Sequence, residues 1–222
     1  MTTYTSPEHH PAFEEYCETI FELNEDDVTV IQARIAERLN VSRPAVSEMV
    51  RRLETEGLVT VTDGTISLTR RGADLAQTMV RRHRIAERFL TDILGLSWAD
   101  AHHEAGKWEH VISPEVEEAL LRHLEDPTTC PHGNPIPGSS YVEPATVSLH
   151  LSPIGKPFTV ARIPEELEFT EGMLEFLETS HITPGSAGSV LAVSPDGTTT
   201  VDVSGTIVGI GAFAAERILV SH

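Results

Sequence analysis

The 222-residue chain has only two cysteines, Cys17 and Cys130, and 5% aromatic residues. Two thiols are too few for a disulfide framework in a chain this long, which fits a reducing compartment. No apolar run approaches the ~18 residues that a membrane-spanning helix needs. The opening MTTYTSPEHH lacks the basic and apolar regions of a signal peptide. A cytoplasmic protein with no membrane association is the expectation. Basic residues are scarce as well, with 16 Lys and Arg against 34 Asp and Glu and a formal charge of −18. That balance argues against a simple nucleic-acid coat, because DNA affinity comes mainly from Lys and Arg on phosphates. The chain does have a 40% hydrophobic composition, enough for packed cores, and 11 histidines among its carboxylates, a mixture that raises the possibility of a divalent metal.

The acidity is uneven. Residues 29–84 carry ten arginines (34, 38, 43, 51, 52, 70, 71, 81, 82, 84) and six acids, a net of +4, which leaves −22 for the rest. Such asymmetry is a sign that one segment meets a polyanion, although arginines also decorate solvated helix faces.

Periodicity divides the chain into blocks. AFEEYCETIFEL at 12–23 places Phe13, Tyr16, Cys17, Ile20 and Phe21 on one helical face. Thr29 is read as the cap of a second helix through about Leu39. NVSRPAVSEMVRRLETEGLV then turns at Asn40 and Val41, is capped by Ser42 with Pro44 in the first turn, and ends at Gly57. LVTVTDGTISLT alternates around Asp63-Gly64, a strong hairpin signal. Two helices, a tight turn and a hairpin predict a winged helix-turn-helix whose second helix enters the DNA major groove. Arg34, Ser42, Arg43, Pro44, Ser47, Glu48, Arg51 and Arg52 are its candidate DNA-facing residues; few are long donors, which points to shape and methyl readout with arginines on phosphates. The other reading is a winged helix used only for protein contacts.

Helical patterns follow at about 72–94, 99–112 and 114–124, with Trp98 and Trp108 expected between helices. Residues 126–144 read as a Pro- and Gly-rich surface segment and linker. Beyond it, short alternating runs with a Pro195-Asp196-Gly197 turn, and a single helical stretch near 170–179, predict a small, partly open β-barrel. The expected organisation is mainly α with β: a DNA-binding domain at 1–72, a helical domain at 73–138, a linker at 139–146 and a barrel at 147–222.

His83 and Glu87 lie one helical turn apart, and His102, Glu109 and His110 sit at offsets that return to nearly one face of the next helix. Three imidazoles and two carboxylates suit Mn²⁺, Fe²⁺, Co²⁺ or Zn²⁺ better than Ca²⁺. A binuclear metallohydrolase is the enzyme alternative. The run His103-Glu104-Ala105-Gly106-Lys107 begins like the HExxH of zinc proteases, but Lys107 stands in place of the second histidine.

The strings ARIAERLNVSRPAVSEMVRRLETEGLV, VRRHRIAERFL, HHEAGKWEHVIS and CPHGNPIPG resemble the diphtheria toxin repressor family of iron- and manganese-dependent transcriptional repressors. The resemblance covers nearly the whole chain. It implies a winged helix, a metal-binding dimerisation domain and an SH3-like C-terminal barrel. It further implies an ancillary metal site at His83, Glu87 and His102, and a primary site at Glu109 and His110 with Glu15 from the first helix. Iron-sensing members have a methionine at the place of Glu15 and a cysteine at that of Gly106. Manganese-sensing members have carboxylates at both, so Glu15 agrees with them and Gly106 with neither. Cys130 stands where some streptococcal-type manganese regulators use a cysteine ligand, and Glu168 and Glu171 are counterparts of side chains by which the barrel completes the ancillary site. The resemblance leaves His103, His123 and His132 without a partner, as surface groups, and Cys17 in the core. The function so implied is a homodimeric repressor with two metal sites per subunit, binding a palindromic double-stranded operator when loaded with Mn(II), or alternatively Fe(II). A metal-independent DNA or protein-interaction module remains a third reading.

Overall fold

A computed structural model describes residues 11–222; the opening decapeptide read above for signal-peptide features lies outside the described residues. Helix α1 (Pro11–Glu25) buries Phe13, Tyr16, Cys17, Ile20 and Leu23 on one side. Helix α2 (Gln32–Arg38), a turn at Asn40 with φ 51°, and α3 (Arg43–Thr55) form the helix-turn-helix. Ser42 caps α3 by accepting from the Ala45 N–H at 3.4 Å. Thr29 does not cap α2, which begins at Gln32 after Ile31. The Ile66 N–H donates to the Val30 carbonyl at 2.9 Å and Val30 is buried, so this stretch runs extended beside the wing instead of entering the helix early.

The wing is β1 (Val59–Thr62) against β2 (Thr65–Leu68), joined by Asp63 and Gly64 at φ 50° and 81°, the left-handed pair a two-residue turn demands. Thr69 caps α4 (Arg70–Arg88) and ties it back to the wing by donating to the Gly57 carbonyl at 2.7 Å. Gly72 is required there, because a Cβ would stand 2.0 Å from the Leu58 carbonyl oxygen.

Helix α4 runs on into a π-helical turn, Phe89–Ile93, and is followed by α5 (Trp98–Trp108) and α6 (Pro114–His123), capped by Ser97 and Ser113. After an irregular segment come β3 (Val147–Ser148), β4 (Pro157–Arg162), α7 (Glu165–Glu168), α8 (Met173–Thr179), β5 (Ala187–Val193), β6 (Thr199–Val203), β7 (Thr206–Ile210), α9 (Ala212–Ala215) and β8 (Leu219–Ser221). The six strands form one antiparallel sheet in the order β3-β8-β4-β5-β6-β7, curved by irregularities after Val160 and Val190. Helices α7 and α9 and strand β8 were not expected. They are three or four residues long, too short for a periodic signal.

Three apolar cores result: one under the helix-turn-helix and wing, one among α4, α5 and α6, and one inside the C-terminal sheet. Trp98, at the start of α5, packs into the third, together with Leu174 and Leu177 of α8. Its backbone N–H donates to Glu178 at 3.2 Å, so the helical layer is pegged into the C-terminal domain. No helix among the described residues is long and apolar enough to cross a membrane.

Candidate metal centre

Helix α4 packs along α1 on one side and α5 on the other. Its i, i+4 pair, His83 and Glu87, faces the seam and is buried. His102 comes from α5, and Glu109 and His110 from its C-terminal end. His83 Nδ1 lies 2.6 Å from Glu109 Oε2, and its Nε2 lies 3.2 Å from His102 Nδ1 and 3.3 Å from Glu87 Oε1. His102 Nδ1 is in turn 2.9 Å from Glu87 Oε1 and 3.2 Å from Glu168 Oε2.

Three members of the cluster, Glu18, His132 and Glu165, escaped sequence reasoning. Glu18 joins His83 and Glu109, with one donor atom from each within 4.8 Å of the others. Glu14, Glu18 and Glu22, spaced by four, are all buried, and that periodic acid stripe on an otherwise apolar helix was the available signal. His132 is not a surface group: it is fully buried, 2.9 Å from Glu168 Oε2, 3.6 Å from Glu87 Oε1 and 3.7 Å from Cys130 Sγ. Glu87, Cys130 and His132 form a second compact group, and His102, Glu165 and Glu168 a third.

The expected residues divide accordingly. His83, Glu87, His102, Glu109, Cys130 and Glu168 are drawn into these groups. His110 stands beside them, but its Nδ1 is 2.8 Å from Glu14, the neighbour of Glu15. Glu15 itself is exposed and lines the mouth of a pocket of about 430 Å³ whose walls include Glu18, His83, His102, Glu109 and Phe169. Gly106 lines the same pocket, where a Cβ would meet open space. Glu171 is exposed in the turn before α8 and joins none of the groups.

The segment bearing Cys130 and His132 is held rigidly. The Cys130 N–H donates to the Asn134 carbonyl at 2.9 Å, and the Ile163 N–H donates to the His132 carbonyl at 2.8 Å. Gly133, at φ 89°, lies so close to β4 that a Cβ would be 2.3 Å from the Ala161 carbonyl oxygen. Fully buried Arg84 binds Glu25 of α1 and Glu165 of α7 and donates to the Pro135 carbonyl, joining three layers at one guanidinium.

The electrostatics are those of a charge-balanced cluster. Burial disfavours charge on His83 and His102, but adjacent carboxylates outweigh it, holding His83 well above the ordinary imidazole value and His102 up at about 10. Burial also opposes ionisation of Glu168, yet His132 and His102 bring it down to about 2. Burial and the Glu109 carboxylate push Glu18 well up. Burial, then Glu87 and Glu168, push the Cys130 thiol well up.

Even so, lone pairs are left over. Glu18 Oε1, Glu87 Oε2, Glu165 Oε2 and His132 Nε2 are buried without a hydrogen-bond partner. Such groups are costly to bury unpaired. Four orphaned oxygen and nitrogen donors converging from four segments are a donor set that fits divalent cations.

The helix-turn-helix carries exposed arginines. Arg43, Pro44, Glu48, Arg51 and Arg52 are exposed on α3, Ser42 is exposed at its cap, and Ser47 is half-buried. Arg34 is exposed on α2 and paired with Glu37 at 2.9 Å, while the Arg52 guanidinium stands 5.0 Å from the Phe13 ring centroid.

Residues 10–64 match the family described as iron dependent repressor, N-terminal DNA binding domain, and residues 69–138 match the iron dependent repressor, metal binding and dimerisation domain. The iron-dependent repressor IdeR of Mycobacterium tuberculosis is 39% identical over 204 residues, covering 86% of this chain and 88% of that protein. The diphtheria toxin repressor of Corynebacterium diphtheriae is 52% identical over 126 residues, 56% of each chain. A solved manganese-dependent transcriptional repressor in complex with manganese superposes with a TM-score of 0.83 at 33% identity, over 94% of this chain and 98% of that one. These relatives are regulators, which disfavours a metallohydrolase, and with the winged helix and buried donor cluster they lead to one conclusion: the chain belongs to the diphtheria toxin repressor family of iron- and manganese-dependent transcriptional repressors.

Proposed function

We propose that this repressor responds to Mn²⁺ in preference to Fe²⁺, through two metal sites per subunit. The first is assigned to Glu18, His83, Glu109 and His110, with Glu15 at the rim. The second is assigned to Glu87, His102, Cys130, His132 and Glu168. Support for manganese comes chiefly from Glu18, a carboxylate standing with an imidazole and a second carboxylate in a group that holds no thioether or thiol. A divalent cation bound there supplies positive charge that the carboxylates otherwise draw from protons on the histidines.

The chain's own residues then define the switch. Glu18 projects from α1 to His83 of α4 and Glu109 at the end of α5, so a cation held there ties α1 to both helices, whereas protons balance the charge without bridging them. Helix α1 also carries the DNA-binding head: Glu22 Oε2 accepts from Arg38 of α2 at 3.4 Å, and Asp26 lies 4.0 Å from the same guanidinium. Fixing α1 therefore favours one orientation of α2 and α3, a population shift that requires tighter metal binding in the DNA-competent state. Two copies joined through the helical domain present two α3 helices to a palindromic duplex in the cytoplasm, with half-sites about 34 Å apart or a multiple of that. The functional units are the head at 1–72, the helical domain at 73–138, the linker at 139–146 and the SH3-like barrel at 147–222.

The test uses an operator duplex selected from randomised DNA by the protein in Mn²⁺, titrated anaerobically with buffered Mn²⁺ and Fe²⁺. Half-maximal DNA binding at lower free Mn²⁺ than free Fe²⁺ is expected. Equal potency contradicts the manganese assignment.

A further inference from the structure

We propose that Phe169 is a positioning residue through which the C-terminal domain passes the state of the metal centre to the helix-turn-helix. The inference rests on the functional reading above and names a contact that the metal assignments do not use. Phe169 directly follows Glu168, whose carboxylate lies within 3.2 Å of His102 and His132. Its ring stands edge-on to the His102 ring, with centroids 5.2 Å apart and planes at 85°. Beside the same ring, 4.6 Å from its centroid, is the Arg38 guanidinium. Arg38 is the last residue of α2, adjacent to the turn that leads into α3. One side chain of the C-terminal domain thus touches a residue of the metal cluster and the helix that supports the recognition helix.

The chemistry of the contact is suited to carrying position. The Arg38 side chain is 95% buried, and its Nη2 has no hydrogen bond. An aromatic face beside a desolvated guanidinium attracts it through the ring quadrupole, an interaction sensitive to distance and tilt. Holding Glu168 and His102 together fixes both neighbours of the ring on the metal side, and the ring's face then sets where Arg38 rests. Arg38 also bonds Glu22 of α1, so its placement is shared by the first helix and the C-terminal domain. Phe169 is itself 48% exposed and outside the apolar cores of the described residues, so its removal leaves those cores intact. That separates a coupling role from a purely structural one.

The experiment compares full-length wild type with Phe169→Ala, Phe169→Leu and Phe169→Tyr. Affinity for the selected operator duplex is measured without metal and in saturating Mn²⁺, and Mn²⁺ affinity is measured calorimetrically with and without the duplex. Phe169→Ala and Phe169→Leu are expected to keep the wild-type thermal midpoint, metal-free DNA affinity and DNA-free Mn²⁺ affinity. Their Mn²⁺-induced gain in DNA affinity falls about three- to tenfold, as a cation–aromatic contact of this kind implies, and by reciprocity the duplex strengthens Mn²⁺ binding less by the same factor. Phe169→Tyr, which keeps the ring, restores the gain. An unchanged gain in Phe169→Ala overturns the inference, as do an equal loss of DNA affinity with and without metal, a loss of DNA-free Mn²⁺ affinity, or failure of Phe169→Tyr to restore. A wild-type protein with no Mn²⁺-induced gain at all overturns the functional reading itself, and this inference with it.

Discussion

His83 and His102 are held above their ordinary values by carboxylates to which the proposed function also assigns a cation, so protons and metal are expected to compete for the same atoms. In the metal-free protein the carboxylates favour the protonated form of these imidazoles, whereas Glu168, down at about 2, is already ionised and contributes no proton. Mn²⁺ binding is therefore expected to release protons, and apparent affinity to rise as pH increases from about 6 to about 9. Calorimetry in two buffers of different ionisation heat measures this directly. Identical heats in both, with affinity flat across that range, contradict the cluster's proposed charge state. The histidines on α4 and α5 were legible because helical spacing alone places them together. Glu18 was hidden among five glutamates between Glu14 and Glu25, any of which suits a solvated helix face, and only the packing of α1 on α4 selects it. His132 was invisible for another reason: it sits in a Pro- and Gly-rich segment with no periodicity, and its burial is decided by β4 and Trp98, the latter 4.6 Å away edge-on.

At the level of elements, strong local signals translated faithfully. The Asp63-Gly64 turn, the Ser42 cap with Pro44, and the long apolar stripe of α4 each produced the element they predicted. Where tertiary contacts compete, they prevailed: Thr29 lost its capping role to a backbone bond between Val30 and the wing. The most consequential tertiary element is α5, which belongs by sequence to the helical layer but inserts Trp98 into the C-terminal core. Trp98→Ala leaves a cavity at that junction and is expected to destabilise the protein by about 3–5 kcal/mol. Because the lost contact joins two layers, denaturation followed by C-terminal and helical probes is expected to split into two transitions. A single coincident transition at the wild-type midpoint contradicts the view that Trp98 couples the domains.

For the molecule as a whole, the charge of −18 resolves into an arginine-rich stretch at 29–84, net +4, and an acidic remainder that includes every proposed metal ligand except His83. The exposed Arg34, Arg43, Arg51 and Arg52 favour the approach of DNA from the side of α2 and α3. The proposed metal centre draws its residues from α1, α4, α5, the segment around Cys130 and α7. Its position makes it the place where layers with separate cores are either tied together or left to move. The central claim is that loading this cluster raises DNA affinity, and the most direct measurement is operator affinity with and without saturating Mn²⁺ in wild type and Glu18→Gln. Wild type is expected to gain at least about tenfold, within the usual range of coupling between sites, and Glu18→Gln to lose most of that gain while keeping its metal-free affinity. Equal wild-type affinity in the two conditions would contradict the account.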